Sequence, residues 1–231
     1  MKVALITGAS SGIGAATAIE FADAGWSVMA AGRDTARLEE VAVASENIAT
    51  WEGDLDTSDT CDELIADTIE EFGRIDCLVN CAGILVRGNA ADTSDDDWQD
   101  TMHVNLYVPF YLSRAALPFL LATAGSIVNI ASDWGLQAGA DHVAYCTSKG
   151  GLIMLTRAMA KDHAREGLRV NAVCPGDVDT PMLETEAELV EEDIDEFLAE
   201  AAEDSPNGRI AEPGEVASLV LYLASDAARH I

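Results

Sequence analysis

Apolar residues follow two patterns along this chain, and each pattern predicts a different element. Short continuous apolar runs predict strands, whereas longer stretches with apolar residues every three or four positions predict helices. The predicted strands cover residues 2–7, 26–31, 48–51, 76–82, 126–131 and 168–175. The predicted helices cover residues 13–24, 34–44, 58–72, 95–122, 145–166, 187–203 and 213–224.

The predicted strands lack polar–apolar alternation of their own, which is typical of strands that are buried on both faces. Their alternation with helices predicts an α/β fold, with a doubly wound parallel sheet flanked by helices on both faces. Ligands of such folds bind at the carboxyl ends of the strands. We expect Pro109 and Pro118 to bend or divide the helix predicted at 95–122.

The chain is strongly acidic, with 41 acidic residues, 13 basic residues and a net charge of −28. Such a surface repels phosphates and anionic lipids, so neither nucleic acid nor a membrane is expected as a partner. The acids are spread along the chain, which favours a solvation role at high salt, as in proteins of halophiles, over binding of a specific cationic partner. The start "MKVALITGAS" is too short and weakly basic for a signal peptide, and no apolar run is as long as a membrane span, so we expect a soluble cytoplasmic protein.

The cysteines and histidines do not form a ligand pattern. Five cysteines occur without a C-x-x-C pair, and the four histidines are not clustered with them in the sequence. Neither a disulfide framework nor a metal site is predicted from this spacing.

A glycine-rich stretch, "TGASSGIG" at residues 7–14, joins the first predicted strand to the first predicted helix. Glycines there allow a tight turn and a close approach of the backbone to a phosphate, and a helix N-terminus favours negative charge. The spacing differs from the commoner G-x-G-x-x-G, so a simple tight turn is the alternative. The position between strand and helix favours a dinucleotide site.

The end of the second strand bears on which nicotinamide cofactor binds. An acidic residue there suits the ribose of NAD, whereas an arginine suits the additional phosphate of NADP. Arg33 follows Gly32 at this point, so NADP(H) is favoured and NAD(H) is the alternative. In the competing interpretation, Arg33 is solvated and Asp34 only caps the next helix.

Tyr145 and Lys149 are one helical turn apart, so both side chains can contact the same bound molecule. A nearby ammonium stabilises a phenolate, so we expect Lys149 to lower the pKa of Tyr145 from about 10. Such a pair is weak evidence alone, but Ser132 ends the fifth predicted strand, where substrates of parallel sheets bind. The three side chains are therefore candidates for acid–base chemistry on one substrate.

Together these motifs resemble those of the short-chain dehydrogenase/reductase superfamily, in its compact single-domain branch, over nearly the whole chain. The matching residues are TGxxxGIG at 7–14, Asp54, NCAG at 80–83, Asn105, Ser132, YxxxK at 145–149 and PGxVxT at 175–180. The resemblance implies a Rossmann-like fold, with residues 1–231 forming one dinucleotide-binding and catalytic domain. It also implies hydride transfer with a nicotinamide cofactor and without a metal.

The resemblance implies a role for each matching residue. Tyr145 would donate or accept the proton, Ser132 would hold the substrate carbonyl oxygen, and Lys149 would bind the nicotinamide ribose. Asn105 would bind a water that relays protons between Lys149 and solvent, besides kinking its helix near Pro109. The implied cofactor-binding residues are Gly8, Ser10, Ser11, Gly12, Ile13, Gly14, Arg33, Asp54, Leu55, Asn80, Ala82, Gly83, Tyr145, Lys149, Pro175, Gly176, Val178 and Thr180.

Parts of the cofactor are assigned within that set by the same resemblance. Asp54 would lie near the adenine, and Asn80 and Gly83 would line the adenosine side. Val178 and Thr180 would meet the carboxamide.

The chain departs from the family pattern at two places. Ser11 stands where some NADP-preferring relatives have a basic residue. The sequence stops at Ile231, before the final strand that is usual in the family, so either the sequence is a truncated version or the sheet has six strands instead of seven. That segment normally contributes to subunit contacts, although a homo-oligomer, tetramer or dimer, is still the expectation.

Residues 183–205 are expected to form a lid on the substrate side. They are predicted to contain an acidic amphipathic helix, and they follow the sixth strand, where an insertion would cover the pocket.

The leading hypothesis is an NADP(H)-dependent oxidoreductase that interconverts a ketone and a secondary alcohol on a small molecule. Residues 206–228 resemble 3-oxoacyl-thioester reductases, although many relatives share this segment. An NAD(P)-dependent sugar or polyol dehydrogenase is the alternative, and a dinucleotide-binding regulator without turnover is the third hypothesis.

Overall fold

The computed structural model describes residues 1–231, apart from the side chain of Asp204. Its strands are β1 (Val3–Thr7), β2 (Ser27–Gly32), β3 (Ile48–Glu52), β4 (Cys77–Asn80), β5 (Ser126–Ile130) and β6 (Arg169–Val173). They form one parallel sheet in the order β3-β2-β1-β4-β5-β6. The predicted α/β class and the doubly wound parallel sheet are confirmed.

Helices connect the strands and cover both faces of the sheet. They are α1 (Gly12–Asp23), α2 (Thr35–Ala42), α3 (Ser58–Phe72), α4 (Asp95–Met102), α5 (Val108–Thr123), α6 (Val143–His163), α7 (Pro181–Leu189), α8 (Ile194–Asp204) and α9 (Pro213–Ala224). Helices α1 and α9 share one apolar core with the sheet, and α3 and α5 share the other. The strand order reverses between β1 and β4, which opens a crevice at their carboxyl ends.

The helix predicted at 95–122 is divided, but at a different place from the one that the prolines predict. A π-helical turn, His103–Tyr107, separates α4 from α5 and carries the buried side chain of Asn105. Pro109 follows this turn within the first turn of α5, where its missing N–H costs little. Pro118 lies inside α5 without ending it, so the expectation that it divides the helix is wrong.

The continuous helical segment Asp95–Thr123 is long and apolar enough to cross a membrane, with a mean hydropathy of 1.2. Length and composition alone define this test, and the core helix of a folded domain also passes it. A single such helix is weak evidence for a membrane span.

The single helix predicted at 187–203 is two helices. Helix α7 begins at Pro181, directly after the extended residue Thr180, because proline is well suited to the first helical position. Helix α8 begins after Asp193, whose carboxylate accepts hydrogen bonds from the backbone N–H groups of Asp195 and Glu196.

Candidate active site

A cavity of about 980 Å³ runs along the carboxyl edge of the sheet, from the N-terminus of α1 to helix α7. Most of the residues proposed from the sequence line it. They are Gly8, Ser10, Ser11, Gly12, Ile13, Gly14, Arg33, Asp54, Leu55, Ala82, Gly83, Ser132, Tyr145, Lys149, Pro175, Gly176, Val178 and Thr180. Residues from all parts of the chain therefore converge on one elongated site.

The glycine-rich turn between β1 and α1 is built for close contact of backbone with backbone. Gly8 has a φ of 65°, and a Cβ placed on it would lie 2.8 Å from backbone atoms of Ala82. A Cβ on Gly14 would lie 2.2 Å from the carbonyl oxygen of Gly8. No side chain caps α1 at Ser11, so the first-turn N–H groups of this helix face the cavity without a capping partner. A negatively charged pyrophosphate fits this cradle.

The cavity ends beside two arginines that follow β2. Arg33 is exposed, and it has no ion pair within the part of the chain that the structure describes. The carboxylate of Asp34 is engaged locally: it accepts a 3.1 Å hydrogen bond from the backbone N–H of Arg37 and lies 3.5 Å from the Arg37 side chain. Asp34 therefore caps α2, as the competing interpretation expects, while Arg33 keeps its five donors available.

Ser132 and Tyr145 meet at the opposite end of the cavity. Ser132 lies two residues after the end of β5, and its hydroxyl accepts a 3.1 Å hydrogen bond from the backbone N–H of Trp134. The phenol of Tyr145, in the first turn of α6, lies beside the Ser132 side chain. Both residues are buried, and the Trp134 ring packs edge-on against Tyr145 at a centroid distance of 6.1 Å. This packing shields the phenol from bulk water.

Lys149 lies one turn after Tyr145 on α6 and is also buried. Its ammonium donates a 2.9 Å hydrogen bond to the carbonyl oxygen of Ile130 and lies 5.6 Å from the centroid of the Tyr145 ring. Burial of the charged group lowers the pKa of Lys149 to about 8. A phenol, a hydroxyl and an ammonium therefore share one end of the cavity.

Comparisons with known proteins agree with this geometry. Residues 8–231 match the family model described as Enoyl-(Acyl carrier protein) reductase. The chain is 38% identical to "Meso-2,3-butanediol dehydrogenase" of Serratia marcescens, over all of this chain and 90% of the relative. It is 34% identical to "3-oxoacyl-[acyl-carrier-protein] reductase FabG" of Thermotoga maritima, over all of this chain and 93% of that relative. The chain belongs to the short-chain dehydrogenase/reductase family.

A solved structure of the same family has the same fold. The ligand-free aldohexose dehydrogenase of Thermoplasma acidophilum superposes with a TM-score of 0.89 at 36% identity, over all of this chain and 89% of that one. The protein is accordingly an oxidoreductase of a family that uses NAD(H) or NADP(H).

The structure corrects the expected pKa of the tyrosine in this short-chain dehydrogenase/reductase. The pKa of Tyr145 is raised to about 12, chiefly by burial and to a smaller extent by the nearby charges of Asp133 and Glu186, whereas the Ser132 side chain acts to lower it. The expected lowering by Lys149 is not found, because its ammonium is itself buried and is directed at the Ile130 carbonyl. Loss of hydration outweighs the charge pair in this dry pocket.

Asn105 does not line the cavity, in contrast to the other catalytic candidates. Its amide oxygen accepts a 2.9 Å hydrogen bond from the backbone N–H of Ile84, and its amide nitrogen donates to the Ile84 carbonyl at 2.9 Å and to Ser148 Oγ at 3.0 Å. Ser148 in turn donates a 2.8 Å hydrogen bond to the carbonyl oxygen of Tyr145. Asn105 therefore ties the β4–α4 loop and the π-helical turn to the first turn of α6.

Asn80 was predicted to line the adenosine side of the cofactor, but it is not among the residues that line the cavity. It is buried, and its amide nitrogen donates to Asn129 Oδ1 at 2.8 Å and to Ser113 Oγ at 3.3 Å. Asn129 continues this chain of buried amides to Thr156 Oγ1 at 2.8 Å. The amide nitrogen of Asn80 therefore joins β4 to β5 and α5, and Asn129 extends this link to α6, whereas the amide oxygen of Asn80 is buried without a hydrogen-bond partner among the described residues.

Several lining residues were not predicted from the sequence. Arg37 was overlooked because it is one turn beyond the end of β2, and Trp134 because it follows Ser132 in a short 3-10 turn. Met182, Leu183 and Glu186 line the substrate end from α7. Leu183 and Glu186 fall within the lid predicted at 183–205, but neither was named as a site residue. The three- and four-residue spacing on one helix face was the available signal, but the predicted helix began after these residues.

Proposed function

We propose that this protein interconverts a ketone and a secondary alcohol by hydride transfer with NADP(H). The observation that supports this most strongly is the convergence of Ser132, Tyr145 and Lys149 at one end of a cavity. The other end offers an uncapped helix N-terminus and the available guanidinium of Arg33. The spacing of phosphate-binding and proton-donating groups suits one long cofactor with its substrate.

Ser132 and Tyr145 act on the oxygen of the substrate. When bound, dihydronicotinamide supplies the hydride that forms the new C–H bond at the carbonyl carbon. Tyr145 donates its phenolic proton to the oxygen, whose π bond to carbon breaks, and the product is a neutral alcohol. Ser132 holds the same oxygen by a hydrogen bond, so negative charge is stabilised as it develops. Oxidation runs the same steps in reverse, with Tyr145 accepting the proton.

Lys149 would hold the nicotinamide ribose, because its ammonium lies in the cavity 5.6 Å from the centroid of the Tyr145 ring. Gly83 supports the proposed proton relay, because a Cβ on it would lie 3.4 Å from both Lys149 Nζ and Asn105 Oδ1. The two polar atoms thus face the same small space beside a residue without a side chain. Asn105 is a positioning residue, since its contacts hold the start of α6.

The choice of NADP(H) over NAD(H) follows from the charges after β2. Arg33 has no ion pair among the described residues, and the carboxylate of Asp34 is already hydrogen-bonded as a helix cap. The additional phosphate of NADP suits the guanidinium of Arg33, which is unpaired in the described part of the chain. The ribose of NAD would need a carboxylate that is not already engaged, and the carboxylate of Asp34 is engaged. We assign the adenine to the neighbourhood of Asp54 and Leu55, and the carboxamide to Val178 and Thr180, which all line the cavity.

We also propose that residues 183–205 act as a lid over the substrate. Leu183 and Glu186 are buried and line the substrate end of the cavity from α7. Helix α8 continues this covering segment.

A sugar or polyol dehydrogenase is the second candidate. Relatives with such names are present, among them the butanediol and aldohexose dehydrogenases. The 3-oxoacyl reductase type has a named relative as well, with 34% identity. Both candidates use the chemistry given above and differ only in the rest of the substrate.

Initial rates with NADPH and NADH test the proposal. The substrates are simple ketones and acyl thioesters for reduction, and secondary alcohols and polyols for oxidation. We expect turnover with at least one carbonyl or carbinol class and faster turnover with the phosphorylated cofactor. A protein that binds NADPH and turns over none of these classes would overturn the proposal.

A further inference from the structure

Glu186 is a buried carboxylate at the substrate end of the cavity. It lies on α7 with 7% of its surface exposed, and it lines the cavity together with Met182 and Leu183. A carboxylate in such an apolar setting is costly unless donors surround it. The partners of Glu186 therefore decide what the side chain is for.

His142 is the only basic side chain with a nitrogen within 4 Å of the Glu186 carboxylate in the described part of the chain. Its Nε2 lies 3.2 Å from Glu186 Oε1, without the directional geometry of a hydrogen bond. The other ring nitrogen, Nδ1, is held 2.6 Å from the carbonyl oxygen of Ala140. The imidazole thus flanks one carboxylate oxygen, and no hydrogen bond to either oxygen occurs among the described residues. Glu186 retains acceptor capacity for a ligand.

The second carboxylate at this end, Asp133, is already engaged within the protein. Its oxygens accept hydrogen bonds from the Ser132 hydroxyl at 3.1 Å, the Trp134 backbone N–H at 2.8 Å and the Gln137 side chain at 3.0 Å. The contrast between two neighbouring acids singles out Glu186 as the one available to a substrate.

Glu186 also belongs to the reacting end of the cavity. The Trp134 ring packs at 4.4 Å from the His142 ring and at 6.1 Å from the Tyr145 ring, measured between centroids. The His142–Glu186 pair and the Tyr145 phenol therefore border the same space. The charge of Glu186 is felt at the phenol, since it contributes to the raised pKa of Tyr145.

We infer that Glu186 is a specificity residue that accepts a hydrogen bond from a second hydroxyl group of the substrate, near the carbon that is oxidised or reduced. The substrate class is then a neutral polyhydroxylated compound, such as a vicinal diol, a polyol or a sugar. A buried negative charge at this point repels substrates that have a carboxylate or phosphate near the reacting carbon. Substrates with an apolar chain there are also disfavoured, because they offer the carboxylate no hydrogen-bond donor. This inference rests on the proposed function and narrows it to the second candidate.

A purely structural role for Glu186 makes a different prediction. If the carboxylate only anchors α7 to His142, its loss changes stability and all substrates by a similar factor. If it binds a substrate hydroxyl, its loss changes only the substrates that carry that hydroxyl.

The experiment compares kcat/KM for paired substrates in the wild type, Glu186→Gln and Glu188→Gln. The pairs are isopropanol with propylene glycol and cyclohexanol with cyclohexanediol, and each diol adds one hydroxyl on the adjacent carbon. Glu188 makes a matched control because it is exposed on the same helix. Glu186→Leu is the second variant, and melting temperatures show whether each protein is folded.

In the wild type we expect the diol to exceed its monohydric partner in kcat/KM. Glu186→Gln should lower kcat/KM for the diol by about tenfold or more and leave the monohydric alcohol within about twofold, because a charged acceptor has been replaced. Glu186→Leu should remove the preference, and Glu188→Gln should not change it. Equal losses for both members of each pair, or a wild type that prefers the monohydric alcohols, would overturn the inference and leave the proposed function standing. A wild type without turnover of any carbonyl or carbinol would overturn both.

Discussion

The ammonium of Lys149 donates a 2.9 Å hydrogen bond to the carbonyl oxygen of Ile130, the last residue of β5. This bond fixes a long flexible side chain at the carboxyl edge of the sheet, two residues before Ser132. Its cost is the near-complete burial of a cation, with one protein acceptor identified for three donors. Burial of Lys149 therefore lowers the free energy of unfolding, although the proposed function requires this side chain.

The first prediction is that Lys149→Met stabilises the protein while it abolishes turnover. The pKa of Lys149 is lowered from 10.5 to about 8 in the folded state, so Lys149 binds its proton less tightly in the folded than in the unfolded protein. Below pH 8, burial of the charged Lys149 costs the folded wild type about 3 kcal/mol. The variant avoids this cost but loses the hydrogen bond to Ile130, which is worth about 1 kcal/mol. The penalty fades as the pH rises from about 8 towards 10.5, because the folded protein then releases the proton and this release costs less as the pH approaches the unfolded value.

Denaturant unfolding of both proteins between pH 7 and 10 checks this sign. The difference in free energy of unfolding, variant minus wild type, should be positive near pH 7 and should shrink as the pH rises. Cys61 and Cys77, whose pKa values do not depend on Lys149, contribute equally to both proteins and cancel in the difference. A less stable variant at pH 7 would contradict the assigned desolvation of Lys149.

Arg33→Ala tests the cofactor assignment. Loss of charge-assisted hydrogen bonds to a phosphate, about 1.5–3 kcal/mol, should raise the dissociation constant of NADPH by about tenfold to a hundredfold. The dissociation constant of NADH should change by less than about twofold, since NADH lacks that phosphate. Calorimetric titration of both cofactors measures these values, with Arg165→Ala as an exposed control outside the cavity. Tighter binding of NADH than NADPH by the wild type would refute the assignment.

The net charge of −28 predicts that KCl stabilises the folded state. Cations screen the repulsion among carboxylates that folding brings together. The melting temperature should rise by at least about 3 °C between low and molar KCl, which corresponds to about 1 kcal/mol for a chain of this size. An unchanged melting temperature over that range would show that the acid excess has no stabilising role at high salt.

An exposed apolar surface on helices α4 to α5 predicts a homo-oligomer. Tyr107 and Phe110 are 45% and 41% exposed, and Trp98 is 38% exposed. Exposed aromatic patches of this kind mark subunit contacts. Phe110→Asp should lower the mass measured by light scattering, whereas Val43→Asp, at an apolar position 88% exposed directly after α2, should not. A wild type that is monomeric at micromolar concentration would contradict this prediction.

The sheet and the phosphate cradle could be predicted from the sequence because they depend on local signals. Uninterrupted apolar runs mark the strands, and Gly8 and Gly14 mark positions where a side chain would collide with the backbone. Asn80 and Asn105 could not be placed in this way. A buried asparagine is expected to form hydrogen bonds, but only the folded structure shows which residues are the partners. They are Asn129, Ser113, Ile84 and Ser148.

The pKa of Tyr145 and the role of Glu186 were missed for a different reason. The distance between Tyr145 and Lys149 along the helix says that they are close, but it does not say how much water remains around the phenol. Glu186 resembles the many solvated acids of its segment in sequence, and only burial beside His142 separates it from Glu184 and Glu188. Burial is a property of the whole fold and is weakly encoded in a short stretch of sequence.

The central claim is that Tyr145 transfers the proton during hydride transfer, and Tyr145→Phe tests it most directly. The substitution keeps the ring against Trp134 and removes only the hydroxyl, and Tyr222→Phe makes the same change at an exposed position. The measurement is single-turnover reduction under saturating NADPH, with the dissociation constant of NADPH determined in parallel. We predict a rate at least about a hundredfold below that of the wild type, an unchanged dissociation constant, and a wild-type rate for the control. A Tyr145→Phe protein that binds NADPH and reduces its substrate at the wild-type rate would contradict the account.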